Sequence, residues 1–279
     1  MRNQLTVALA GVFLAMAVSP LLSKDVGPVK ALEYNKDELV IQAAVGEIAP
    51  PRLRDDAYRI GADGVLRVLP GTGSITYNFR TGDSAIKIAA DHVEPAVTLY
   101  NPGASGGGRS SAESRGLNTL ACIGNEVTVI TGSGKGAVGY VIGTHGGSEH
   151  VMVDFPEASV FDKLIIGDKM QVRTHGVGLR LTNVDGIQAM NLSPHLLDAL
   201  TQAGMGVTDD GKLRIPVALK VPAKIMGSGL GSSHVYRGDY DIQLFDEKTV
   251  AEYGLDKLRF GDVVAIMDAD NTYGRIYKT

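Results

Sequence analysis

Five of the six histidines in this chain lie at or near glycines and carboxylates, in segments that read as strand ends and turns: His92, His145, His150, His175 and His234. Imidazole and carboxylate together are the donor set of a zinc or other divalent-cation site. In Asp91-His92-Val93-Glu94-Pro95 an extended backbone puts His92 and Glu94 on one face and Asp91 on the other. His145, His150 and Asp154 follow one Gly-Ser-Gly; His234, Asp239 and Asp241 follow another. One reading makes His92, His145, His150, His234 and Asp239 metal ligands, with zinc favoured. Glu94 is then a general base on a metal-bound water, and the chain is a metal-dependent hydrolase of a small amide-like substrate. The other reading makes the same side chains solvated turn residues. The chain is then a non-catalytic module that binds a small anion through the backbone amides of Gly132-Ser133-Gly134 and Gly227-Ser228-Gly229, or assembles with itself. Metal content separates the two.

Three tempting motifs fail on the structure they would require. Gly132-Ser133-Gly134-Lys135-Gly136 has the look of a phosphate loop. However, its lysine is followed by glycine, and Val138 to Ile142 reads as a strand where a helix N-terminus is needed. Gly227-Ser228-Gly229-Leu230-Gly231 fails as a dinucleotide fingerprint for the same reason. In His145-Gly146-Gly147-Ser148-Glu149-His150 the spacing is wrong for a helical zinc motif, and two glycines would not hold both histidines on one helical face. Cys122 is the single cysteine, so no intramolecular disulfide forms, and its apolar neighbours make it a small buried hydrophobe.

The elements that must carry these residues are short strands. Val40 to Val45, Val65 to Leu69, Ile75 to Phe79 and Ala85 to Ala89 read as strands, with Thr81-Gly82-Asp83 as a turn. Asn101 to Gly116 reads as a glycine- and serine-rich loop. Two helices carry clear signals: Ser193 caps Pro194 to Leu200 with Gly204 as the stop, and Asp246 caps a helix ending at Tyr253 and Gly254. Asp162-Lys163-Leu164-Ile165-Ile166-Gly167-Asp168 recurs as Asp256-Lys257-Leu258-Arg259-Phe260-Gly261-Asp262. Each copy has a Gly-Ser-Gly upstream and a strand downstream, which predicts an internal duplication. The expected fold is α+β and β-dominated, with barrel- or sandwich-like units and few helices. The expected organisation is a signal peptide and linker (1–37), an N-terminal β-rich region (38–125), copy one (126–215) and a shortened copy two (216–279).

Composition narrows the partners. The 279 residues include 35 glycines, the net charge is −4, and no Lys/Arg patch stands out, which argues against nucleic acid. Arg2, the apolar run Leu5 to Leu14 and Ala15-Met16-Ala17 have the parts of a signal peptide. The run is short for a stable membrane span, so export is expected, with an uncleaved segment and a cytoplasmic protein as the alternative. A small-molecule ligand and homo-oligomerisation complete the expectation, since short β units cover their edges by association.

Leu69-Pro70-Gly71-Thr72-Gly73-Ser74-Ile75-Thr76-Tyr77-Asn78, with Gly82-Asp83 and Asp91 to Pro95, resembles the signature of an uncharacterised prokaryotic family catalogued as a domain of unknown function. Met226 to Ser232 and Gly238 to Gln243 fit it too. The resemblance spans residues 38–279. It implies a β-rich α+β fold and no known activity. The Gly-Asp turns and the His234 to Asp241 segment are also similar in pattern to acetamidase/formamidase enzymes, which are β-rich and use a divalent metal. No catalytic residue carries over from them by position.

Overall fold

The computed structural model describes residues 6–9, 27–52, 59–61, 64–67, 71–90, 93–104, 106, 108–146, 149–226, 241–270 and 276–277. Six strands form a closed antiparallel barrel: β1 (Ile41–Ile48), β2 (Val97–Tyr100), β3 (Glu126–Val129), β4 (Val138–His145), β5 (His150–Asp154) and β6 (Lys169–His175). Their order around the barrel is β1-β2-β5-β4-β3-β6, and closure removes every free edge. Alternation does the filling. In β6, Met170, Val172 and Thr174 are buried while Lys169, Gln171 and Arg173 are exposed. The interior is Ile48, Val97, Leu99, Val127, Val129, Val141, Val151, Val153, Met170 and Val172, with Phe155 and Phe161 stacked edge to face beside them. The fold is therefore α+β and β-dominated, as the sequence implies.

Helix α1 (Ala112–Leu120) packs against β1, β2 and β5, with Leu117 in the barrel core. It occupies the end of the stretch read as a loop. Glycine density hid the start signal, Ser111, whose hydroxyl accepts from the Ser114 N–H. Helix α2 (Pro194–Gln202) is capped by Ser193 and stops at Gly204. Helix α3 (Glu247–Tyr253) is capped by Asp246 and ends on left-handed Gly254, so both follow their sequence signals. Strands β7 (Leu219–Pro222) and β8 (Val263–Met267) pair in parallel, and residues 6–9 pair antiparallel with β8.

Two expected strands are irregular. Ile75 to Phe79 touches β2 through one bridge, Ile75 to Val97. Ala85 to Ala89 forms no strand; pairing there is limited to the isolated Ser84–Arg259 bridge, where the Ala85 N–H donates to the Leu258 carbonyl. The turn between them is as expected, with Gly82 at φ +96° and the Asp83 carboxylate accepting from the Arg80 N–H. In the 66–70 region the described strand is Leu66–Arg67, paired with Arg59–Ile60.

The recurring heptad has one local structure in both places. A 3₁₀ turn ends at Lys163 or Lys257, a buried leucine follows, and glycine takes positive φ (Gly167 +89°, Gly261 +95°). The aspartate side chain then accepts a backbone N–H three residues back, Ile165 for Asp168 and Arg259 for Asp262. The first heptad leads into barrel strand β6 and the second into β8, outside the barrel.

Arg80 fastens the irregular segment to the barrel. Its guanidinium lies over Phe161 and donates to Asp154, 2.9 Å away, and to the Phe155 carbonyl, while the Thr81 N–H donates to the other Asp154 oxygen. Asp154 is 1% exposed, so removing its carboxylate strands several donors. Asp154→Ala is expected to lose about 2–3 kcal/mol in urea unfolding. A loss of a few tenths would show the ion pair to be ornamental.

Candidate functional site

A β-hairpin brings together what no helix could. The register of β4 and β5 pairs His145 directly with His150, and Glu149, just before His150, takes φ +56°. Directly opposed residues share a face. Val151 and Val153 of β5, and Val97 and Leu99 of β2, point into the barrel core. By alternation His150, Met152, Thr98 and Tyr100 project from the outer face of the wall, and His145 projects beside His150.

Glu94, three residues before β2, meets them there. Its side chain is 1% exposed, as is His150, and His145 is 6% exposed. His145 Nδ1 donates to Glu94 Oε1, and His150 Nδ1 lies 3.0 Å from each carboxylate oxygen. The Oε2 atom also accepts from the Thr98 hydroxyl and from the Gly73 N–H, both at 2.7 Å. Gly73 is demanded here: its φ is +91°, and a Cβ would stand 2.4 Å from the Pro50 carbonyl oxygen. Its neighbours are stitched to the wall, Ser74 to Ala49 and Thr98, and Thr76 to Ala96.

The electrostatics follow from the contacts. Burial pushes the Glu94 carboxyl up, but hydrogen bonds from His145 and His150, with their charge interaction, more than offset it and hold the group down at about 2. A carboxylate accepts and cannot donate, so each Nδ1 facing it carries the proton. The Nε2 atom lies on the far side of each ring and carries a lone pair whenever that ring is neutral. His150 Nε2 is buried with no hydrogen-bond partner among the described residues. The Tyr100 ring meets His150 edge-on, 6.4 Å between centroids.

Of the residues singled out in the sequence, Glu94, His145 and His150 converge here. His92, His234, Asp239, Gly227, Ser228 and Gly229 lie outside the described residues. Among the described residues no group of three or more His, Cys, Asp or Glu side chains is arranged to hold a metal ion. Gly132-Ser133-Gly134 forms the turn between β3 and β4. The Asp168 carboxylate sits beneath it, 2.1 Å from where a Gly132 Cβ would stand, with Thr131 donating to it. His175, at the end of β6, has its pKa lowered by burial and by Arg173, and His195 stacks on Tyr140. Cys122 is buried and its thiol is pushed up to about 12, which keeps it from acting as a nucleophile. Thr98 and Gly73 escaped the sequence reading. Their signals are faint: a hydroxyl four residues after Glu94 and one glycine among many.

The fold and site define a closed β-barrel protein with a buried carboxylate–bis-imidazole cluster on its outer wall. The family described as a domain of unknown function (DUF4438) matches the chain in two parts, N-terminal over residues 58–198 and C-terminal over residues 203–279, and the chain belongs to it. The crystal structure of TM1086 is similar, with 42% sequence identity and a TM-score of 0.79 over 88% of this chain and 81% of that one. No curated protein matches. Among the described residues no helix is long and apolar enough to cross a membrane.

Proposed function

We propose that the chain is a metal-dependent hydrolase of a small amide-like substrate, centred on Glu94, His145 and His150. One observation carries this reading: a buried carboxylate holds the Nδ1 protons of two imidazoles, and His150 Nε2 lacks a partner. Metal-binding histidines commonly donate their other ring N–H to a carboxylate, which fixes the tautomer and strengthens the ligand. The arrangement fits that use, with His145 and His150 as ligands through Nε2 and Glu94 orienting both. Held at about 2, Glu94 is a weak proton acceptor, so positioning suits it better than the general-base role suggested by sequence. A divalent cation bound there would supply a water ionised near neutral pH. His92, His234 and Asp239 are the further ligands proposed from sequence.

The anion-binding alternative has less support. At Gly132-Ser133-Gly134 the Asp168 carboxylate lies against the loop and would repel an anion. Export and homo-oligomerisation remain part of the proposal. The exposed Ile41, Val45, Ile165 and Ile166 favour self-association, which light scattering reads directly, and N-terminal sequencing of the secreted chain reads processing. The test of the central reading is elemental analysis of the full chain before and after dialysis against a chelator, with acetamide hydrolysis assayed in parallel. About one metal per chain, and activity lost and restored with it, is the expected result. A metal-free, folded chain that leaves amides intact would end the hydrolase reading.

A further inference from the structure

The stretch read from sequence as a leader is seated in the fold. Residues 6–9 pair antiparallel with β8, Thr6 opposite Ile266 and Leu9 opposite Val263, and cover the edge of β8 that faces away from β7. That edge is not built to stand bare. Successive residues of β8 point to opposite faces, and Val263, Val264, Ala265 and Ile266 are all buried, so the strand is covered on both faces like the middle strand of a sheet. Along it, backbone groups turn alternately to β7 and to residues 6–9. Val263 to Met267 also lacks the lysines, prolines and inward charges that keep an open edge from pairing. Cleavage after Ala17, as the export reading expects, would carry residues 6–9 away and leave buried N–H and C=O groups of β8 without partners.

We infer that the edge of β8 is an assembly surface covered by the leader, and that removal of the leader lets β8 of a second copy take the place of residues 6–9. The geometry suits a second copy. The edge already accepts its strand antiparallel, and a two-fold axis sets two copies of one edge strand antiparallel to each other. Val263 to Met267 offers five uncharged residues, as many as the pairing with residues 6–9 uses and one more. Asp262 and Asp268 bound that stretch, so a two-fold pair brings like charges together at both ends and holds better at high salt. The inference rests on the export reading for what vacates the edge in the cell. The surface it names lies outside the barrel, apart from the exposed Ile41 and Val45 of β1.

The test empties the edge in the full chain, so it does not depend on cleavage. Val7→Pro combined with Ala8→Pro removes the backbone donor at two adjacent positions, one of which must face β8. Light scattering is expected to give this double variant twice the wild-type mass, with the dimer tightening severalfold as salt is raised. A peptide of residues 4–11 in excess is expected to return it to the wild-type mass. Amide exchange at Val264, Ala265 and Ile266 reads the edge itself. It is expected to be slow at every concentration in the wild type, and to slow with rising concentration in the double variant. Fast exchange at these amides in the wild-type chain would overturn the inference. So would a double variant of wild-type mass, or one that unfolds at every concentration instead of pairing. N-terminal sequencing of the secreted chain is read separately: an uncleaved chain ends the export reading and leaves the edge result standing.

Discussion

Glu94→Gln is expected to be about 3 kcal/mol less stable than the wild type at pH 7 and nearly as stable at pH 2. The Glu94 carboxyl is displaced from its ordinary 4.5 to about 2 in the folded chain. A folded pKa below the unfolded one means that the stabilisation is fully present above about pH 4.5 and is lost as the pH falls toward 2. A shift of that size is worth about 3 kcal/mol at roughly 1.4 kcal/mol per unit. The contacts explain why an amide cannot stand in. Glu94 accepts from His145, His150, Thr98 and Gly73, and an amide turns one oxygen into a donor facing donors. Urea unfolding of both proteins at pH 7, 4 and 2.5 makes the comparison. A difference that stays the same at all three would mean that the carboxylate charge is not what stabilises the site.

The second large effect is on catalysis. His150→Ala removes the imidazole whose Nε2 is buried without a partner and leaves Glu94 with one ring in place of two. Under the proposed reading, kcat/KM for amide hydrolysis falls at least about a hundredfold and bound metal drops below stoichiometry. His175→Ala, on the far end of β6 and outside the cluster, is the control and should keep both. Near-UV circular dichroism separates loss of chemistry from loss of fold. Full activity in His150→Ala would remove this histidine from the reaction.

How much of this was legible follows from which signals are local. Caps and stops are local, so Ser193 with Gly204 and Asp246 with Gly254 marked α2 and α3 correctly. The same chemistry at Ser111 was lost among glycines, and a helix was read as loop. Ile75 to Phe79 has the composition of a strand, but its Thr76 N–H donates to the Ala96 carbonyl and its Thr76 hydroxyl to the Glu94 carbonyl, with one bridge in place of a ladder. The His-x-x-x-x-His spacing was rightly refused as a helical motif, and what the spacing does encode is a hairpin with the two rings opposed. Glu94 is separated from His145 by 51 residues and from His150 by 56. Their meeting depends on β2 pairing with β5, which is a property of barrel closure and appears in no local pattern.

The account stands on the claim that Glu94 holds both histidines by Nδ1. Nitrogen-detected NMR of histidine-labelled full chain at pH 7 reads this directly, with His145→Gln and His150→Gln assigning the signals. The account predicts that both rings carry a proton on Nδ1 in the metal-free chain, hydrogen-bonded to Glu94 and protected from exchange. Rings protonated on Nε2 with a bare Nδ1, or Nδ1 protons that exchange freely with solvent, would contradict it and dissolve the cluster as a functional centre.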